Sequence, residues 1–104
     1  MPGDADKRNQ ERRDFSGDVI MEFTSGRREA RISDISMGGC YVYSIASVVE
    51  GETVGLVITS SFGKSLRFTG EVAYLLRGMG FGIRFTDLTE ERTAFLSHII
   101  AQNS

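Results

Sequence analysis

The sequence predicts an all-β fold with a C-terminal helix: a six-stranded antiparallel β-barrel in a single domain. Three observations carry this reading. Six short segments alternate apolar and polar side chains, the two-residue period of a strand whose successive side chains point to opposite faces. Stretches holding Gly and Ser separate these segments at the spacing of a closed or nearly closed all-β barrel. After the sixth segment the apolar period lengthens to that of a helix. A chain of 104 residues is of single-domain size and long enough to bury one core.

Residues 1–14 are almost wholly polar, with Lys7, Arg8, Arg12 and Arg13 mixed among Asp4, Asp6 and Glu11. With no apolar face they are expected to form a tail, mobile when free, ahead of a domain over 15–104. From Phe15, Val19, Met21 and Phe23 alternate with Asp18, Ile20 and Glu22. The turn Thr24-Ser25-Gly26 then predicts a hairpin whose return strand sets Arg28, Ala30 and Ile32 against Glu29, Arg31 and Ser33. That strand runs into Asp34 and is broken or bulged at Gly38-Gly39. Cys40–Ser44 reads as a third strand, and Thr53–Thr59 as a fourth with Val54, Leu56 and Ile58 inward. Beyond Ser60-Ser61-Phe62-Gly63-Lys64 comes a long fifth, with Leu66, Phe68, Val72, Tyr74 and Leu76 expected inside. The sixth has Phe81, Ile83 and Phe85 inside and Gly82 and Arg84 outside. Asp87 or Thr89 can cap the helix over 89–102, with Glu90 and Glu91 in its first turn. Leu88, Arg92, Phe95, Leu96, Ile99 and Ile100 recur at helical spacing, a stripe expected to lie across the barrel mouth.

Composition narrows the function. Twelve Lys and Arg against fourteen Asp and Glu leave a net charge of −2, so no general field gathers nucleic acid or anionic lipid. The apolar runs are too short to span a bilayer, and Met1-Pro2-Gly3-Asp4 lacks the pattern of a signal peptide, so a soluble cytoplasmic protein is expected. The single cysteine, Cys40, reads as a small buried apolar residue. The single histidine, His98, has no partner at ligand spacing, so no metal or other cofactor is expected. Neither a nucleophile elbow nor a Gly-rich phosphate loop is present, and the chain is not predicted to be an enzyme.

Asp34-Ile35-Ser36-Met37-Gly38-Gly39 is the most informative stretch. Extended alternation places a carboxylate and a hydroxyl about 7 Å apart on one face, beside glycines that admit a ligand close to the backbone. The same residues also read as a polar turn in which Asp34 and Ser36 bond their own backbone. Arg8 and Arg12 form an Arg-x-x-x-Arg spacing, and arginine grips phosphate bidentately or stacks flat on a base. Guanine accepts at N7 and O6 and donates from N1 and N2, so a guanine phosphodiester would use both sets of groups.

With these motifs in this order the sequence resembles the PilZ domain family. Arg8 and Arg12 stand at its arginine motif, and Asp34, Ser36 and Gly39 at its Asp/Asn-x-Ser-x-x-Gly. Gly80-Phe81-Gly82-Ile83-Arg84-Phe85-Thr86-Asp87-Leu88-Thr89 resembles its last strand and the start of its helix. The resemblance implies a receptor that binds cyclic di-GMP without turning it over and signals to an unidentified effector protein or by self-association. It implies neither a nucleic acid polymer nor a membrane as partner. Arg8 and Arg12 would hold phosphates and guanine faces, Asp34 and Ser36 a guanine edge, and Gly38 or Gly39 would permit close approach, with Arg84 as a further contact. A second register starts the arginine motif at Arg13 and puts Gly17 in the place of the second arginine. The Arg8/Arg12 register is preferred because it leaves enough chain before Asp34 for a full hairpin. Family members without the arginines act, by resemblance, as protein-interaction adaptors that bind no nucleotide. A barrel binding single-stranded nucleic acid through Tyr41 and Tyr43 is disfavoured by the net negative charge.

Overall fold

A computed structural model describes residues 13–61 and 63–102, with side chains in the first strand described from Gly17 onward. Its elements are β1 (Arg13–Phe23), β2 (Gly26–Ile35), β3 (Gly39–Tyr43), β4 (Thr53–Thr59), β5 (Ser65–Leu76), β6 (Gly80–Phe85) and a helix, α1 (Glu90–Gln102). The strands close into an antiparallel barrel in the order β1-β2-β3-β6-β5-β4, with β1 bonded to β4 as well as to β2. Closure gives every strand two hydrogen-bonded neighbours.

The first strand starts earlier than alternation indicates. Arg13 and Asp14, expected in the tail, lie in β1 opposite Ile35 and Asp34. Backbone pairing does not require apolar side chains, so the ladder extends past the point where the amphipathic pattern begins. Gly39 likewise joins β3 one residue ahead of Cys40.

Inward residues of all six strands and the helix form one apolar cluster, centred on fully buried Met21, Leu56, Ile58, Phe68, Phe81 and Leu96. Cys40 is buried in it. The helix closes this core as expected: Phe95 sits 5.8 Å from Phe68 between ring centroids, and Leu96 and Ile99 are buried beside it. Thr89 is the cap, its Oγ1 accepting the Arg92 N–H at 3.2 Å, so the helix proper begins at Glu90. Arg92 leaves the apolar stripe: its Nε donates to the Arg67 carbonyl at 2.6 Å and its Nη1 to that of Asp87 at 3.3 Å. Leu88 is exposed. No described helix is long and apolar enough to cross a membrane.

Tyr74 and Leu76, expected inside, are 40% and 46% exposed. Val72 faces Ile83 and Tyr74 faces Gly82, so Ala73 is an extra residue, and the bulge it makes turns the rest of β5 over. Two further register shifts occur, between Asp14 and Gly17 on β1 and between Ile32 and Asp34 on β2.

Candidate ligand-binding site

These three irregularities border one patch on the outside of the barrel, and two of them aim its side chains. Ile32 is buried opposite Val42, so strict alternation would send Asp34 into the core and Ile35 into solvent. The extra residue Ser33 reverses this, setting half-buried Asp34 opposite Tyr41 and buried Ile35 opposite Cys40. Tyr41 in turn pairs with Gly82, and Gly82 with Tyr74. Asp34, Tyr41, Gly82 and Tyr74 therefore make a row across β2, β3, β6 and β5.

Ser36 does not share the Asp34 face. β2 ends at Ile35, and Ser36 opens a turn closed by its N–H to the Gly39 carbonyl at 2.8 Å. Its side chain is 1% exposed. Its Oγ accepts the N–H groups of Gly38 and Gly39, both at 3.2 Å, and donates to the Gly39 carbonyl at 3.2 Å. The polar-turn reading thus describes Ser36, which holds the turn from within. Gly38 and Gly39 are not among the glycines with positive φ. Gly39 serves close approach of another kind: a Cβ there would meet the Ile83 carbonyl oxygen of β6. The Gly38 carbonyl accepts the Phe85 N–H at 2.8 Å, tying the turn to the same strand. Ser36→Ala should lower stability by about 1–3 kcal/mol, because it strips two turn N–H groups of their acceptor. Chemical denaturation would register this as a lower midpoint with an unchanged slope.

Arg84 points outward, as alternation requires, and stands opposite Gly39 on one side and Glu71 on the other. Its Nη2 lies 2.5 Å from Glu71 Oε1, a solvent-exposed pair of the kind worth about 0–1 kcal/mol and readily exchanged for another anion. Ser36, Gly38, Gly39, Ala73, Tyr74, Ile83 and Arg84 line a depression of about 200 Å³. Beside it the rings of Tyr41 and Tyr74 lie 6.2 Å apart and nearly parallel, at 24°, while Tyr43 meets Tyr41 edge-on at 5.5 Å. Tyr41 is 7% exposed, and its hydroxyl has no hydrogen-bond partner among the described residues. Burial, helped by Tyr74, Tyr43 and Asp34, holds the phenol above its ordinary pKa, so it stays protonated as a donor.

Arg8 and Arg12 lie outside the described residues. Arg13 and Gly17, the pair of the second register, are both strand residues of β1, with Gly17 opposite Ile32. Tyr74 and Gly82 are absent from the site read from sequence. The signal for them is an outward glycine between Phe81 and Ile83 that leaves room for an aromatic ring on the next strand, but it is visible only once register is known.

The family model for the PilZ domain matches residues 6–102. The chain belongs to the PilZ domain family. Solved structures share the fold of this PilZ domain at low sequence identity. The PilZ domain of CeSA from a cellulose-synthesizing bacterium superposes with a TM-score of 0.69 at 18% identity, over 88% of this chain and 96% of that one. The Bacillus subtilis inhibitor of motility MotI/DgrA gives 0.78 at 16% identity, over 92% of this chain and 50% of that one. Borreliella burgdorferi PlzA, solved in complex with c-di-GMP, gives 0.60 at 20% identity, over 92% of this chain and 36% of that one. No curated protein matches the sequence. The family is one of receptor and adaptor domains.

Proposed function

We propose that this PilZ domain is a receptor for cyclic di-GMP, bound outside the barrel between the segment carrying Arg8 and Arg12 and the face of Asp34. The supporting observation is the register of β1. Arg13 stands opposite Ile35 and Asp14 opposite Asp34, so the arginine-bearing segment is covalently joined to the sheet beside the carboxylate. Arg8 and Arg12 hold the phosphates and guanine faces, Asp34 accepts from a guanine edge, and Arg84 exchanges Glu71 for the ligand. Arg13 belongs to the same approach. Ser36 acts through the turn it braces, keeping Gly38 and Gly39 beside the ligand. The signal passes to an effector protein or a second copy of the chain, and exposed Ile45, Val49 and Met79 supply apolar contact surface for it.

Isothermal titration with cyclic di-GMP, with cyclic di-AMP and GTP as controls, tests the reading: saturable heat with the first ligand alone is expected. Absence of heat at tens of micromolar protein and excess ligand would instead make the domain a protein-interaction adaptor. If the arginines grip the nucleotide, trypsin cleavage after Lys7, Arg8, Arg12 and Arg13 should slow several-fold on binding. Ordering such a segment costs about 1–2 kcal/mol per residue, so affinity will fall below what the contacts alone would give. Equal digestion rates with and without bound nucleotide would remove Arg8 and Arg12 from the site.

A further inference from the structure

We infer that Tyr74 is a purine-stacking residue of this site, its ring presented to the base by Tyr41 and Gly82; this rests on the receptor reading above. Tyr74 borders the depression formed with Gly38, Gly39 and Arg84, and the residue remains 40% exposed. It is not free to lie anywhere. Its ring atoms occupy the space above Gly82 where a Cβ would stand, and its plane follows that of Tyr41. Tyr41 is itself fixed by burial and by the edge of Tyr43. A flat, partly exposed ring held from below is the platform on which a base stacks, and bases are flat whatever their edge pattern.

Two further observations bear on the same shelf. The Tyr41 hydroxyl is buried and protonated, with no acceptor among the described residues, and it lies within the electrostatic reach of Asp34. The bulge at Ala73 turns Tyr74 onto this face; without it Tyr74 would fall on the core side of β5, and the shelf would have no ring. The division of labour follows from chemistry. Asp34 distinguishes guanine by its N1 and N2 donors, whereas Tyr74 contributes affinity to any purine.

The protein carries its own reporter. It has three tyrosines and no tryptophan, and Tyr41, Tyr43 and Tyr74 all belong to this cluster, so intrinsic emission reads the shelf alone. The test titrates cyclic di-GMP into the full chain while following heat and tyrosine fluorescence lifetime, the latter being insensitive to absorbance by the ligand. Lifetime should shorten in step with the heat. Tyr74→Ala should weaken binding about tenfold or more, and Tyr74→Phe should bind as the parent does. Gly82→Ala, which displaces the ring while keeping the tyrosine, should also weaken binding. Heat from the parent with no lifetime change, and undiminished affinity in Tyr74→Ala, would overturn the stacking role and leave the receptor reading standing. No heat from the parent would overturn both.

Discussion

Gly39→Ala is expected to lower the melting temperature by roughly 12–24 °C, the equivalent of about 3 kcal/mol in a domain of this size. The new Cβ falls on the Ile83 carbonyl oxygen and 3.3 Å from Arg84 Cα, both backbone atoms of β6. A side chain in the way can rotate aside. A strand in a closed barrel can retreat only by loosening its ladder, so the effect belongs at the upper end of the usual range for overpacking. Thermal unfolding followed by circular dichroism measures it. A variant melting within a few degrees of the parent would show that β3 and β6 can separate cheaply and that the glycine is not required for packing.

Arg12→Ala is expected to weaken cyclic di-GMP binding about tenfold or more, since hydrogen bonds to charged groups are worth about 1.5–3 kcal/mol each and 1.4 kcal/mol is a factor of ten. The melting temperature of the free protein should stay nearly unchanged, because residues 6–14 around Arg12 include no apolar side chain that could add to the core. Asp34→Ala should weaken binding as well. Its melting temperature carries separate information: a large fall would assign the carboxylate to holding the β1–β2 end of the sheet, with ligand contact a secondary role. Calorimetry and thermal melts on the same two variants separate these effects. Parent-like affinity in both would dismantle the proposed clamp.

Strand pattern is legible in the sequence because burial on one face imposes a two-residue period wherever the ladder is regular. The fourth strand has the bounds that alternation marks, Thr53–Thr59, and the inward residues of the sixth are those its pattern names. Legibility fails at single extra residues. Nothing in the side chains of Ser33 or Ala73 announces a bulge, yet each reverses the facing of the residues after it. Asp34 reaches the outer face because its strand is irregular, and Tyr74 reads as a core residue because its own irregularity is invisible in the pattern. Of the two readings of Ser36, the shared face fails for a related reason and the polar turn holds. A hydroxyl two residues beyond Asp34 shares its face only if the strand continues, and the strand ends between them. The value of Gly39 depends on Ile83, a partner far along the chain that only topology brings close.

The closed strand order also governs how the domain comes to exist. Two of its seams, β1 with β4 and β3 with β6, join residues about forty positions apart, as in Val19 with Ile58 and Gly39 with Arg84. Non-local pairing of this kind places barrels among the slower-folding small domains, in milliseconds to seconds, because loop closure must precede any gain from contact. Asp34 and Arg84 sit on opposite sides of the β3–β6 seam. The proposed ligand surface therefore comes into being only when that seam closes, and a chain that has not yet added β6 presents no complete version of it. The proposed receptor would accordingly meet its nucleotide as a completed barrel or not at all.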